Sequence, residues 1–289
     1  MTSLRAAFAA YGATSLFVLL WSSGAIFAEV GVQHASAFAF LVLRFALASS
    51  VLALFGVWRR RWLPAPGTRL QVAGTGALLT GGYSICYLLS LARGLTPGVL
   101  ATILGVQPIL TLLLVERRYS AARIAGLCVA LGGLALVVFR GADAVRLPAG
   151  GVLFALAALA CMTFGAIFQK GLKQAPIDVL PLQNAVSLVL CMSFAPFEPL
   201  AFKPSVSVLV PLLWLGVVIS VFAQLLFYRL VRGGNLVNVT SLFYLVPIVT
   251  ALMDYLFLGN RLLPSGMAGM SAILLGLALA LRAGPERRR

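Results

Sequence analysis

Acidic side chains are scarce in this 289-residue chain: seven Asp and Glu stand against 22 Lys and Arg, with a single histidine. That scarcity excludes whole classes of chemistry. Acid-base catalysis and hydrolytic metal centres need His, Asp or Glu brought together, and the acids here are scattered singly along the sequence. There is no Gly-x-Ser-x-Gly elbow, no glycine-rich phosphate loop ending in Lys-Ser or Lys-Thr, and no histidine pair, so neither a hydrolase nucleophile nor a nucleotide cradle is signalled. His34 falls in a short turn and reads as a surface residue. Cys86, Cys128, Cys161 and Cys191 lie far apart inside apolar stretches without CxxC spacing. They read as small buried hydrophobes, and no disulfide, metal or cofactor is expected.

What the chain has in abundance is apolar surface. Of its residues 61% are hydrophobic and only 10% charged, with a mean hydropathy of +1.03, whereas a soluble domain is about a quarter charged. Apolar stretches of the length needed to cross ~30 Å of hydrocarbon recur from end to end. Ten are expected, at about 8–28, 36–57, 70–91, 97–115, 121–139, 150–169, 178–197, 206–228, 236–257 and 264–282. The first is longer than a signal-peptide core, and another span follows at once without a small-residue cleavage site, so it reads as a membrane helix. The expected fold is an all-α polytopic membrane protein of ten transmembrane helices.

A net charge of +15 would suggest nucleic acid in a soluble protein. Here the basic residues occupy loops between spans, where the positive-inside rule accounts for them without a polyanionic partner. One set of helix ends holds Arg5, Arg59, Arg60, Arg61, Arg69, Arg117, Arg118, Arg123, Lys170, Lys173, Arg229, Arg232, Arg282, Arg287, Arg288 and Arg289; the other holds Arg93, Arg140, Arg146, Lys203 and Arg261. The imbalance places both termini in the cytoplasm, and Arg44 is left inside a span. At 238–240 "NVT" has the form of a glycosylation acceptor, but at a cytoplasmic membrane edge it is expected to be idle.

"GAIF" occurs at residues 24–27 and again at 165–168. Other landmarks repeat in the same order: "RG" lies fifteen residues before Pro108 and fifteen before Pro247, and Gly126 and Gly133 are spaced like Gly269 and Gly276. The offsets run from 139 to 143 residues, as loop insertions would leave them. The pattern predicts two repeats, 1–141 and 142–289, of five helices each. An odd number of spans makes the second copy enter the bilayer from the opposite side. Inverted repeats around a midplane site are an architecture of secondary transporters.

The stretches "LLWSSGAIFAEVG", "AFLVLRFALAS" and "LGVQPILTLLLVERRYSAARIAGLCVALGGLALV" resemble the EamA-type repeat of the drug/metabolite transporter superfamily. Trp21, Gly24, Arg44, Phe45, Pro108, Glu116, Arg117, Gly126 and Gly133 occupy its landmark positions. The second half matches through Gly165, Pro247, Arg261, Gly269 and Gly276, with Asn260 where Glu is usual and Gln183 or Asn184 opposite Arg44. Within the superfamily the chain looks most similar to bacterial aromatic amino-acid exporters of the YddG type. The resemblance implies alternating access by a multi-pass protein of the bacterial inner membrane.

Residues that could carry transport follow from the cost of polar groups in hydrocarbon. Pro108 and Pro247 each remove a backbone donor within a span and free carbonyls that a water-lined cavity can satisfy. With Gly24 and Gly165 they are the expected hinge or gating positions. Arg44 sits about 12 Å deep at 1.5 Å per residue, where it can hold a substrate carboxylate or pair with Asp254, the one acid well inside a span. Trp21, Tyr83, Tyr87, Gln107, Phe164, Phe168, Gln224, Tyr228 and Tyr244 lie near span centres, and such aromatics and amides cluster around water. An aromatic cavity with a few hydrogen-bonding tips, set between helices 1, 3, 4 and 6, 8, 9, suits Phe, Trp, Tyr or Met. Drugs or other metabolites, and a lipid-modifying enzyme, are the alternatives; the first would favour a midplane acid, the second a catalytic cluster at a membrane face. The expected partners are a small-molecule substrate and the lipid bilayer, with no nucleic acid, and the chain acting as a monomer or weak dimer.

Overall fold

The computed structural model describes residues 2–32, 34–60, 62–116, 118–138, 147–197, 200–202, 204–258 and 264–283, excluding the side chains of 2–11, 25, 29, 32, 97, 197, 254 and 257–258. Ten helical rods follow one another: α1 (Thr2–Val32), α2 (Ala37–Arg59), α3 (Arg69–Ala92), α4 (Pro97–Leu104 and Gln107–Val115), α5 (Ala121–Val138), α6 (Ala149–Gly171), α7 (Pro176–Phe194), α8 (Val206–Gly233), α9 (Leu236–Ser241 and Leu245–Leu258) and α10 (Pro264–Ala283). Nine of the described helices are long and apolar enough to cross a bilayer, and α1 carries the apolar stretch Gly12–Ala28. Leu54, Leu113, Leu153 and Leu275 are among many large apolar side chains exposed on the outside of the bundle. A contiguous surface of that kind is stable only against lipid.

The helix starts are written locally. Ser36 and Thr96 accept the amide protons of Ala39 and Val99 at the heads of α2 and α4, Pro97 fills the first turn of α4, and Asn235 caps α9. The proline signals are displaced in the structure. In α4 the helix breaks at 105–106, before Pro108, and in α9 a 3-10 turn at Leu242–Tyr244 precedes Pro247. Pro108 cannot donate to the carbonyl of residue 104, so the disruption falls in the turn preceding it. Apolar periodicity gives no warning that α3 and α8 widen into π-helix at Ala77–Gly82 and Trp214–Ala223. One extra residue per turn leaves composition unchanged.

Both kinds of irregularity recur at the 139-residue offset read from the sequence, and contacts across the bundle obey the same symmetry. A Cβ at Gly126 would lie 2.6 Å from the Gly276 carbonyl, and one at Gly276 would lie 2.5 Å from the Gly126 carbonyl. Gly133 and Gly269 face one another in the same reciprocal way, at 2.6 Å in both directions. Since Gly126 corresponds to Gly269 and Gly133 to Gly276, α5 and α10 cross as an antiparallel, self-complementary pair about a pseudo-two-fold axis. Gly24 of α1 packs on Leu215 and Ile219 of α8, and Gly165 of α6 packs on Leu79 of α3. These contacts make the chain two inverted five-helix repeats, with α1 and α6 each seated on the other half. The expected boundary at 141/142 lies outside the described residues.

The helix ends predicted to share a membrane side also share one end of the bundle. Arg59 pairs with Asp178 at 2.9 Å, Gln174 binds Thr68 and the Ala65 amide, and the Lys170 ammonium donates to the carbonyls of Arg232 and Gly234. At the opposite end Ser36 exchanges hydrogen bonds with Ala201, and the Arg93 guanidinium lies over the Phe154 ring.

Candidate functional site

A chamber of about 200 Å³ lies between α1, α2, α3, α4, α8 and α9, drawing on both halves. α1 contributes Trp21, Gly24 and Ala28; α2 Phe40, Leu41 and Arg44; α3 Tyr83, Ser84, Tyr87 and Leu88. Ala101 and Leu104 come from α4, Leu215 and Ile219 from α8, and Val246 from α9. Leu104 immediately precedes the α4 break, and its carbonyl is the acceptor that Pro108 cannot serve. The break therefore stands beside a residue that lines the chamber. α2 lines the chamber where α6 was expected, because α6 turns its small-residue face to α3.

The chamber is closed toward the ends tied by Arg59, Lys170 and Gln174. Phe17 and Trp21 of α1, Phe227 of α8 and Phe243 of α9 form a complete cluster, every pair of rings having centroids 5.2–5.8 Å apart. Beside it the Tyr228 hydroxyl meets Thr80 at 3.4 Å. Phe17 and Tyr228 are wholly buried, whereas Arg44, Tyr83 and Tyr87 keep part of their surface exposed. Tilted and edge-on aromatic contacts contribute about 0.5–1.5 kcal/mol per pair beyond their area, so this plug resists opening.

Arg44 is held from two sides. Its Nε donates to Ser220 Oγ at 2.8 Å, and its guanidinium carbon stands 5.6 Å from the centroid of the Phe45 ring. Ser220 itself donates to the Leu215 carbonyl five residues back, a geometry supplied by the π-helical stretch of α8. The sequence suggests Asp254 as a partner for Arg44; the Asp254 side chain lies outside the described residues, and among the described ones Ser220 holds Arg44. No acidic side chain among the described residues lines the chamber.

Of the residues singled out from the sequence, Trp21, Tyr83, Tyr87, Gly24 and Arg44 meet in this wall. The others do not. Gln107 and Pro108 are buried behind the α4 break, where the Gln107 amide Nε2 has no partner. Tyr244 lies beneath, donating to the Gly105 carbonyl at 2.6 Å, and thereby joins the two broken helices at positions related by the repeat. Gln224 and Tyr228 belong to the closed side. Phe164 and Phe168 are each 46% exposed on α6. They point away because α6 packs through Ala155, Ala158, Met162, Gly165 and Ala166, which turns the i, i+4 aromatic pair outward. Gly165 abuts Leu79, and Pro247 is half-buried in α9. Tyr244→Phe is expected to cost about 1–3 kcal/mol by leaving the Gly105 carbonyl unpaired, measurable as lowered thermal stability in detergent.

Sequence reading missed a buried polar knot at the closed end. Arg123, with 0% of its surface exposed, donates from Nη1 to Glu116 at 2.8 Å and from Nη2 to Asn235 at 3.1 Å and Asn238 at 2.8 Å. Asn235 Nδ2 donates to the other Glu116 oxygen at 2.8 Å. The knot fastens the end of α4 and the start of α5 to the start of α9 in the other half. In the sequence Arg123 reads only as one of the loop cations, and Asn238 only as part of a glycosylation-like "NVT" triplet.

Residues 9–139 and 149–282 each match the model of the EamA-like transporter family. The chain is 24% identical over 259 residues to an "Uncharacterized transporter" of Archaeoglobus fulgidus, covering 86% of this chain and 88% of the relative. It is 25% identical to the "Uncharacterized transporter YwfM" of Bacillus subtilis, with 95% of each chain covered. A "Probable amino-acid metabolite efflux pump" of Salmonella typhimurium is 23% identical over 91% of each chain. A solved crystal structure superposes with a TM-score of 0.78 at 21% identity, covering 93% of this chain and 98% of the other, which shows the shared fold.

Proposed function

The chain belongs to the EamA-like transporter family, and from that premise we propose that it exports small amphipathic metabolites, foremost aromatic amino acids, by alternating access. The observation that carries this reading is the chamber: Trp21, Tyr83 and Tyr87 offer ring faces and hydroxyl tips beside a single cation, in a space of about 200 Å³ between the halves. A small ring-bearing molecule fits that chemistry better than a bulky drug or a lipid. The relative described as a probable amino-acid metabolite efflux pump points the same way.

The basic end of the bundle is the cytoplasmic one by the positive-inside rule. On that assignment the aromatic plug and the Arg123 knot close the cytoplasmic side, and the conformation is the one an exporter adopts when releasing substrate outward. The repeats 1–141 and 142–289 then exchange roles as the halves rock, with Gly24, Gly165, Pro108 and Pro247 at the positions where helices slide and bend. The protein sits in the bacterial inner membrane with both termini inside.

Proteoliposomes containing the full chain are expected to exchange radiolabelled Phe and Trp by counterflow faster than empty vesicles; equal rates would sink the amino-acid assignment. Tyr83→Ala combined with Tyr87→Ala should lower that exchange by about five- to 150-fold, the loss expected from two aromatic contacts of roughly 0.5–1.5 kcal/mol each. Phe164→Ala, on the outer face of α6, should leave it unchanged.

A further inference from the structure

We infer that Arg44 is the anchor for a carboxylate and that the chamber selects its cargo by that carboxylate. The inference rests on reading the chamber as the substrate site and names the class of molecule it takes: an aromatic or branched apolar body bearing a carboxylate.

A guanidinium has five donors in a rigid planar fork and no means of discharging itself. Ser220 takes the Nε proton of Arg44 at 2.8 Å, and the Phe45 ring supports the guanidinium from one side. No described residue accepts from the two terminal nitrogens. These two can engage both oxygens of a carboxylate end-on, a bidentate charge-assisted arrangement. Holding the guanidinium in advance at Nε lowers the ordering cost of that engagement.

A cation with no acidic partner among the described residues is costly in an apolar chamber until something neutralises it. The two acids with described side chains, Glu116 and Asp178, both pair elsewhere, at the closed end of the bundle. The rest of the wall is ring, aliphatic carbon and hydroxyl: Trp21, Phe40, Tyr83, Ser84, Ile219. Hydroxyls tolerate an ammonium but give no net charge against it, so the energetic difference between ligands follows the carboxylate. A zwitterionic amino acid and its des-amino analogue are both admitted; the decarboxylated amine meets Arg44 as a like charge and is refused.

The test uses the purified full chain in detergent, with thermal stabilisation by ligand as a readout independent of transport. The probes are L-phenylalanine, 3-phenylpropionate and phenethylamine. The first two should stabilise the protein with affinities within about tenfold of one another, and phenethylamine at least about 100-fold more weakly, the span expected for gaining or losing a charged bidentate pair. Arg44→Gln should abolish the distinction between acid and amine. Should that variant fail to fold, Ser220→Ala keeps the charge but frees the guanidinium, and is expected to weaken 3-phenylpropionate by about tenfold. Stabilisation by phenethylamine equal to that by the acids, an Arg44→Gln protein that still prefers acids, or no shift with any probe overturns the inference. Binding of 3-phenylpropionate without binding or transport of phenylalanine would instead reject the amino-acid assignment and leave the carboxylate anchor standing.

Discussion

Replacing Arg123 by Leu is expected to destabilise the protein by about 3–5 kcal/mol, the cost of removing one partner from a buried ion pair. The Arg123 side chain is 1% exposed and that of Glu116 only 9%. Removal of the guanidinium leaves the Glu116 carboxylate with the Asn235 amide alone, and leaves the Asn238 side-chain oxygen without its donor. Uncompensated charge in such surroundings costs far more than the net value of the pair. Removing both charges together therefore has a different outcome. Arg123→Leu with Glu116→Leu should recover most of the loss, because well-packed apolar replacements of buried pairs are often neutral. Chemical unfolding in detergent measures both. A double variant as unstable as the single one would mean that Arg123 acts through its bonds to α9 rather than through Glu116.

The same variants report on the closed end. The knot ties α4 and α5 to α9 at the closed end, and the aromatic plug lies further in. If that end must open during transport, the double variant, folded but unlatched, should expose a cysteine placed at Ser241 to aqueous thiol reagents. Ser241 is 1% exposed in the closed arrangement.

Helix number, the membrane setting and the inverted repeat are written in the sequence because they rest on long-range averages: apolar length, loop charge and landmark spacing. Each survives the loss of detail that single positions cannot. The chamber was legible only in part. Tyr83 and Tyr87 announce themselves by sharing a helix face, and Trp21 and Arg44 by the cost of their groups in hydrocarbon. Phe164 and Phe168 carry the same signal yet face outward, since an aromatic on a membrane helix is as well solvated by lipid as by a cavity. What decides between them is the opposite face of α6, where small residues seek α3. The Arg123 knot was illegible for another reason. Its members come from segments 112 to 119 residues apart, and each, taken singly, has an ordinary role at a helix end.

The second large effect is expected where α5 meets α10. A single methyl added by Gly126→Ala would stand 2.6 Å from both the Ala280 nitrogen and the Gly276 oxygen, and Gly276→Ala would bring a methyl 2.5 Å from the Gly126 oxygen. These obstacles are backbone, which cannot rotate aside, so the helices must separate. Overpacking of this kind costs about 1–3 kcal/mol, and bulkier side chains cost more. Small residues are what allow membrane helices to gain dispersion contact where no hydrophobic effect draws them together, and separation forfeits that gain along the whole crossing. The reciprocal arrangement makes a sharper claim. Gly126 and Gly276 share one contact, whereas Gly133 and Gly269 share another at the far side of the crossing. Gly126→Ala with Gly276→Ala should therefore cost less than the sum of the singles, since one separation relieves both clashes. Gly126→Ala with Gly133→Ala wedges both contacts and should reach or exceed its sum. Thermal unfolding of the three singles and two doubles checks this. Equal additivity in both doubles would mean that α5 and α10 do not move as rigid rods about the pseudo-two-fold axis.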